Sequence, residues 1–249
     1  MEHAALTAAI AAVLPTLLPP PCHTTGSRQG WMADLGCGDL GLLAPLLKPL
    51  PLEGFIGVDA TAEVLPLAAA RLEGGGGGEE GRLMPWPCEW VCADLLDWSE
   101  ARREALREEE MESSSSSSSS GSSSSSSPPR LHVVSCLFTL HHFSDPHKEQ
   151  ALAALRACMA PGGSLLVADV FRKDGEGREE YLDRYRARTV GWVALEEEER
   201  GNILEHVCSS DYPSERSEFV RLAGRAGWGK ARWLWGGRHE AEAVVLLQF

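Results

Sequence analysis

The sequence predicts an α/β fold, a doubly wound and mostly parallel sheet with an antiparallel C-terminal edge. Three observations carry this expectation. Strand-like and helix-like segments alternate from Trp31 to Val170, the order that builds parallel sheets from βαβ units. Leu131–Leu137 is a near-continuous apolar run, as expected of a strand buried on both faces. Near the C-terminus, Ala231–Trp235 and Ala241–Leu247 read as strands joined by a turn at Gly236-Gly237, and a hairpin there makes one edge antiparallel.

In order, Trp31–Asp34 reads as a short strand running into a glycine-rich turn, and Leu40–Lys48 as a helix. Gly54–Asp59 is the second strand, and Thr61 is a candidate cap for a helix over Ala62–Leu72, with Glu63 in its first turn. Trp90–Ala93 reads as a third strand, and Trp98–Glu112 as a charged helix with Ser99 as its candidate cap. Pro146–Met159 is the next helix, stopped by Pro161-Gly162-Gly163, and Ser164–Val170 is the fifth strand. Glu179–Arg188 and Leu195–Val207 then look helical, and Ser214 is the candidate cap of a helix ending near Gly227. The apolar stretch Ala4–Leu18 is broken by Pro15 and lacks a basic flank. It reads as a helix packed on the domain rather than a signal peptide or membrane span.

The 249 residues suffice for one large α/β domain, and 1–249 is read as a single unit. Gly74–Gly78 and Ser113–Ser127 cannot bury enough apolar surface to offset ordering entropy and are expected to be disordered inserts. A helical insert is expected over about 172–210. The net charge of −13 argues against a broad nucleic-acid surface. Seven cysteines without metal-type spacing suit a reducing, cytoplasmic setting, with organellar import left open.

Four places carry chemistry. In Asp34-Leu35-Gly36-Cys37-Gly38-Asp39-Leu40-Gly41, the glycines allow a tight turn and close approach of a ligand. G-x-G-x-x-G also fits a dinucleotide, but Asp34 before the first glycine would repel a pyrophosphate and suits a cationic ligand. Asp59, ending the second strand, can accept from a ribose diol, or can cap the following helix. Asp94, in Cys92-Ala93-Asp94-Leu95, can accept from an adenine amino group while Leu95 packs on the ring, or can serve only the turn. The fourth is Ser135-Cys136-Leu137-Phe138-Thr139-Leu140-His141-His142-Phe143, at the carboxyl end of the buried strand, where α/β sheets place ligands. His141 and His142 are candidate general bases. With Asp145 they could bind a metal, but adjacent side chains diverge, so no metal is expected.

Together, Asp34-Leu35-Gly36-Cys37-Gly38, Gly57-Val58-Asp59, Cys92-Ala93-Asp94, Leu140-His141-His142-Phe143 and Met159-Ala160-Pro161-Gly162-Gly163 resemble the class I S-adenosylmethionine (SAM)-dependent methyltransferases. The resemblance implies a seven-stranded sheet with the last strand antiparallel. It implies SAM as the cofactor, with Asp34, Gly36, Cys37 and Gly38 around its methionine part, Asp59 and Ala60 at the ribose, Asp94 and Leu95 at the adenine, and Cys136 near the sulfonium. The chain departs from the family where a third glycine is common; Asp39 stands there, and the glycine comes at Gly41.

The acceptor pocket is expected from Tyr181, Tyr185, Trp192, His206 and Tyr212, and its ligand is expected to be a small molecule. Leu195–Val207 followed by Ser210-Asp211-Tyr212-Pro213 is similar to small-molecule methyltransferases and, more loosely, to a tRNA-modifying branch. Arg184, Arg186 and Arg188 could serve an anion or RNA, or form an ordinary solvated face beside Glu179, Glu180 and Asp183. The rival readings are a nicotinamide-dependent oxidoreductase, for which no Tyr-x-x-x-Lys pair is present, and a non-catalytic SAM-binding module.

Overall fold

The computed structural model describes residues 2–20, 30–73, 84–115, 128–192 and 194–249. Gly74–Gly78 and most of the serine run lie outside them. Seven strands form one sheet: β1 (Trp31–Leu35), β2 (Gly54–Asp59), β3 (Cys88–Cys92), β4 (Leu131–Leu137), β5 (Met159–Val170), β6 (Lys230–Gly236) and β7 (Glu242–Gln248). Their order is β3-β2-β1-β4-β5-β7-β6. The pairs from β3 through β5 are parallel, and β7 runs antiparallel to both its neighbours. The chain reverses direction across the sheet between β1 and β4, the switch point at which such sheets bind ligands.

Successive side chains in a strand point to opposite faces, and here both faces are apolar. Ala33, Leu35, Ile56, Val58, Val134, Cys136, Leu165, Val167, Val245 and Leu247 face one layer. That layer contains α4 (Leu95–Ser115), α5 (Asp145–Cys158) and α8 (Arg216–Arg225). Met32, Phe55, Val133, Leu166, Val244 and Leu246 face the other, with α1 (His3–Val13), α2 (Ala44–Leu47) and α3 (Leu65–Glu73). The N-terminal helix is thus part of the domain. Its Leu6 and Ile10 are fully buried, a contribution of about 1.5–3 kcal/mol each. Between β5 and α8 lie α6 (Arg178–Thr189) and α7 (Glu197–Ser210), which share a small separate core of Tyr181, Leu182 and Val207.

Several boundaries differ from the sequence expectations for local reasons. The helix expected over Leu40–Lys48 shrinks to α2, because Leu40 adopts a left-handed φ of 56° that an α-helix cannot contain. Thr61 makes no side-chain cap, and the expected helix opens as a 3-10 turn (Ala62–Val64) before α3. Ser99 does not cap α4. The helix starts a turn earlier, where Asp94 Oδ1 accepts the Leu96 N–H (2.8 Å), and buried Ser99 donates back to Leu96 O. β5 begins at Met159, with Pro161-Gly162-Gly163 forming a bulge within it: Met159 pairs with Leu131 and Ser164 with Val133. Ser214 also makes no cap, since Glu215 precedes α8.

Candidate functional site

The carboxyl ends of β1, β2, β3 and β4 open into one cleft of about 310 Å³, lined among others by Gly36, Asp59, Ala60, Asp94, Leu95 and His142. Five of these are cofactor residues expected from sequence. The β1–α2 loop holds its shape through backbone bonds. Gly36 and Cys37 both donate to Val58 O, at 2.8 and 3.0 Å. Gly36 has φ 67°, and a Cβ on it would fall 2.2 Å from Thr139 Oγ1, so no other residue fits there. Gly38 (φ 51°) donates to Asp59 Oδ2 at 2.8 Å, and Asp59 Oδ1 accepts the Thr61 N–H at 2.9 Å. Asp59 therefore braces the glycine loop, with each oxygen retaining acceptor capacity toward a diol. Asp94 combines both roles weighed for it, bracing the start of α4 through one oxygen while standing exposed at the cleft.

Other expected residues lie beneath the surface. Asp34 is buried at the end of β1, and its Oδ1 accepts from Ser135 Oγ at 2.5 Å. Burial pushes its carboxyl up to about 7, against the pull of that hydrogen bond. Cys136 is fully buried in the sheet core, and burial raises its thiol well above the usual range; its side chain is sealed from the cleft. Cys37 is likewise buried in the opposite core layer. Asp39 turns away to Arg71 (2.6 Å) and the Gly41 N–H. Phe138, with a left-handed φ of 57°, Thr139 and Phe143, all within the strand-end segment expected at the site, also line the cleft, as does Thr61, expected only as a helix cap. Strained backbone at such a tip is held only by its surroundings, here by the Phe138 N–H to Ala168 O bond of 2.7 Å.

At one end of the cleft the chain gathers a histidine–carboxylate cluster. A 3-10 turn (Leu140–His142) places the His141 and His142 rings 4.0 Å apart, tilted by 48° rather than splayed. Both face Asp211, the residue after α7, whose Oδ1 lies 3.7 Å from His141 Nε2 and 3.4 Å from His142 Nδ1. His206 Nε2 is 3.7 Å from the same oxygen. Behind them, buried Asp169 accepts from His141 twice, through the backbone N–H (3.0 Å) and Nδ1 (2.5 Å). Burial lowers the His141 imidazolium, but Asp169 and Asp211 outweigh it and lift it above the ordinary value. Asp145, the partner expected from sequence, instead joins Lys148 Nζ (3.2 Å) and Ser214 Oγ. Lys148 is 2% exposed. It reaches Tyr212 O and Ser214 Oγ, tying the segment after α7 to α5.

The expected acceptor residues are only partly together. Tyr181 is buried in the α6–α7 core, with its ring 6.1 Å from that of Tyr185, which meets Trp192 edge-on at 5.9 Å. His206 and Tyr212 lie near the histidine cluster, the latter with its N–H on His141 O at 2.6 Å. Three of the four arginines of α6 are paired with carboxylates, Arg184 with Glu176, Arg186 with Asp183 and Arg188 with Glu242, and Arg178 donates to the backbone carbonyls of Asp211 and Cys208. A larger hollow of about 540 Å³ borders Arg184, Arg188 and Trp192. It contains none of the strand-end residues, and its cations are held by carboxylates, so the smaller cleft is the candidate site.

A protein-family model described as a methyltransferase domain matches residues 8–227. Curated protein sequences gave no match. Among solved structures, the fold is similar to a possible exported protein from Bordetella parapertussis, with a TM-score of 0.58 and 13% identity over 98% of this chain and 67% of that one. It is also similar to magnesium protoporphyrin IX methyltransferase from Synechocystis with bound SAH, the demethylated product of SAM (0.55, 14%, over 99% and 82%). A third is human N-acetylserotonin methyltransferase in complex with SAM (0.54, 13%, over 97% and 51%). The chain thus spans about half the length of the human enzyme, and at these identities the likeness is one of fold.

Proposed function

Because the chain belongs to the methyltransferase-domain family, we propose that it binds SAM in the strand-end cleft and transfers the methyl group to a small-molecule acceptor. The observation that carries this reading is the convergence of Gly36, Asp59 and Asp94 from three strand ends on one cleft. The residues fit the cofactor. The space where a Cβ on Gly38 would stand is open, leaving the loop backbone accessible. Asp59 offers a carboxylate to the ribose hydroxyls, and Asp94 with Leu95 offers an acceptor and an apolar surface to the adenine. Buried Asp34 beneath the loop supplies negative charge for a cationic ligand above about pH 7. Cys37 and Cys136 act here as core packing, and Ala60 lines the wall.

Bound SAM supplies a methyl group already activated on a sulfonium, so the protein's task is orientation and exclusion of water. The strained Phe138–Thr139 tip and Phe143 line the cleft and would help to exclude water from it. His142 borders the cleft and places its imidazole beside the acceptor's space. Small-molecule acceptors are favoured over RNA by the paired arginines of α6 and the charge of −13.

Calorimetric titration with SAM, SAH and NADH side by side tests the reading. Binding of SAM and SAH without NADH is expected, followed by turnover in a screen of small-molecule acceptors. Binding of NADH alone would overturn it, and SAM binding without turnover on any acceptor would leave a non-catalytic module.

A further inference from the structure

We propose that His141 Nε2, His142 Nδ1 and Asp211 Oδ1 form a binding site for a divalent transition-metal ion of the zinc type at the end of the cleft. These three ligand atoms lie within 4.8 Å of one another. Asp211 is 5% exposed, and its Oδ1 is buried without a hydrogen-bond partner. A buried carboxylate oxygen left unpaired is costly, so its surroundings call for a cation or donor. Lys and Arg side chains do not fill that need, since no ion pair links one to Asp169 or Asp211 among the described residues.

The orientation of the ring points the same way. Asp169 stands 2.5 Å from Nδ1 of His141, which leaves Nε2 as the ring nitrogen turned toward Asp211 and, once an ion displaces any proton from it, as the ligating atom. A carboxylate behind a ligating histidine is the usual support of such sites. The distances agree. At 3.4 and 3.7 Å the nitrogens are too far from Oδ1 for hydrogen bonds, which close at about 2.7–3.2 Å. Around a tetrahedral zinc ion with bonds of about 2.0–2.1 Å, neighbouring ligand atoms stand about 3.3–3.4 Å apart. The pocket therefore has nearly the spacing of a ligand set. His206 stands at the rim, 3.7 Å from the same oxygen but outside the set of three.

Three protein ligands leave a fourth position open, the pattern of catalytic rather than structural sites. His142 belongs to both the cluster and the cleft wall, so that position faces the acceptor's space. Resting on the methyl-transfer reading, this narrows the acceptor to molecules with an ionisable oxygen or sulfur, which the ion would hold and help to deprotonate.

The test strips the full chain with a chelator, then titrates Zn2+ by calorimetry and Co2+ by visible absorption. One ion per chain and a tetrahedral Co2+ spectrum are expected. Asp211→Asn and His142→Ala should each weaken binding about 100-fold, whereas His147→Ala, on α5 beside Ser144, should bind as the parent does. Asp211→Asn keeps the side-chain shape and His142 is half exposed, so circular dichroism should report intact folds. Equal Zn2+ affinity in all four proteins, or no Co2+ spectrum, would overturn the site. SAM titrated into the stripped protein is expected to bind unchanged; its failure to bind would sink the methyl-transfer reading while leaving the metal titration intact.

Discussion

Asp34→Asn tests whether the carboxyl under the glycine loop is a tunable charge. Asp34 is buried, with Ser135 Oγ as its hydrogen-bond donor. Its folded value of about 7 lies above the ordinary 3.8. Below pH 3.8 the group is neutral in both states. Between 3.8 and about 7 the folded chain keeps a proton that the unfolded chain has lost, so stability falls as pH rises, and the loss is complete above about 7. At 1.36 kcal/mol per unit, a difference of about three units amounts to about 4 kcal/mol, of which about 2–3 kcal/mol falls between pH 5 and 8. Asparagine keeps the acceptor for Ser135 and has no charge to lose. Urea unfolding at both pH values should show Asp34→Asn gaining about 2–3 kcal/mol on the parent from pH 5 to 8, or about 5–10 °C in Tm. A parent-minus-variant difference that does not change with pH would refute the reasoning. If a cationic cofactor sits on this loop, parent SAM affinity should also rise about tenfold from pH 6 to 8, because binding then no longer competes with the proton. SAH, without the sulfonium charge, should respond less, and the variant not at all.

Asp59→Ala should lower SAM affinity about 100-fold, read by calorimetry, and cost about 1–3 kcal/mol of stability because the Gly38 and Thr61 N–H groups lose their acceptor; unchanged affinity would remove Asp59 from the site. Gly36→Ala should cost about 2–4 kcal/mol in urea, since its Cβ would meet Thr139 at 2.2 Å in a left-handed conformation, and Gly36→Ala with Thr139→Gly should recover part of it. Lys148→Ala should cost about 3 kcal/mol and loosen the segment after α7, because Ser214 and half-exposed Asp145 lose their cation. Hydrogen exchange would locate that loosening at 208–215, and uniform protection there would contradict it.

Much of the fold was legible because it rests on short-range pattern. Leu131–Leu137 sits where its unbroken apolar run put it, as β4, and the hairpin around Gly236-Gly237 became β6 and β7 within a residue or two. Local errors arose where backbone geometry overrode composition. Nothing in Leu40 announces a positive φ, and Ser99 looks like a cap until Asp94 is seen to do the work. Lys148, which the sequence did not single out, shares a buried face with Leu152 and Leu155. The glycine loop with Asp59 and Asp94 was legible because each residue lies at a strand's end, where topology alone fixes the cleft. The histidine cluster was not. Sequence reasoning had the divergence of neighbouring side chains, which is true of an extended strand but fails in a 3-10 turn. It also paired the histidines with Asp145, near in sequence, whereas the partner is Asp211, about 70 residues on and delivered by the end of α7. That partner was visible only as part of Ser210-Asp211-Tyr212-Pro213. What singles it out is its burial without a hydrogen bond on Oδ1, a property that exists only after α7 has docked. Chemistry on one strand end can be read from the chain; chemistry shared between a strand end and an inserted helix pair depends on packing that the chain's local pattern does not encode.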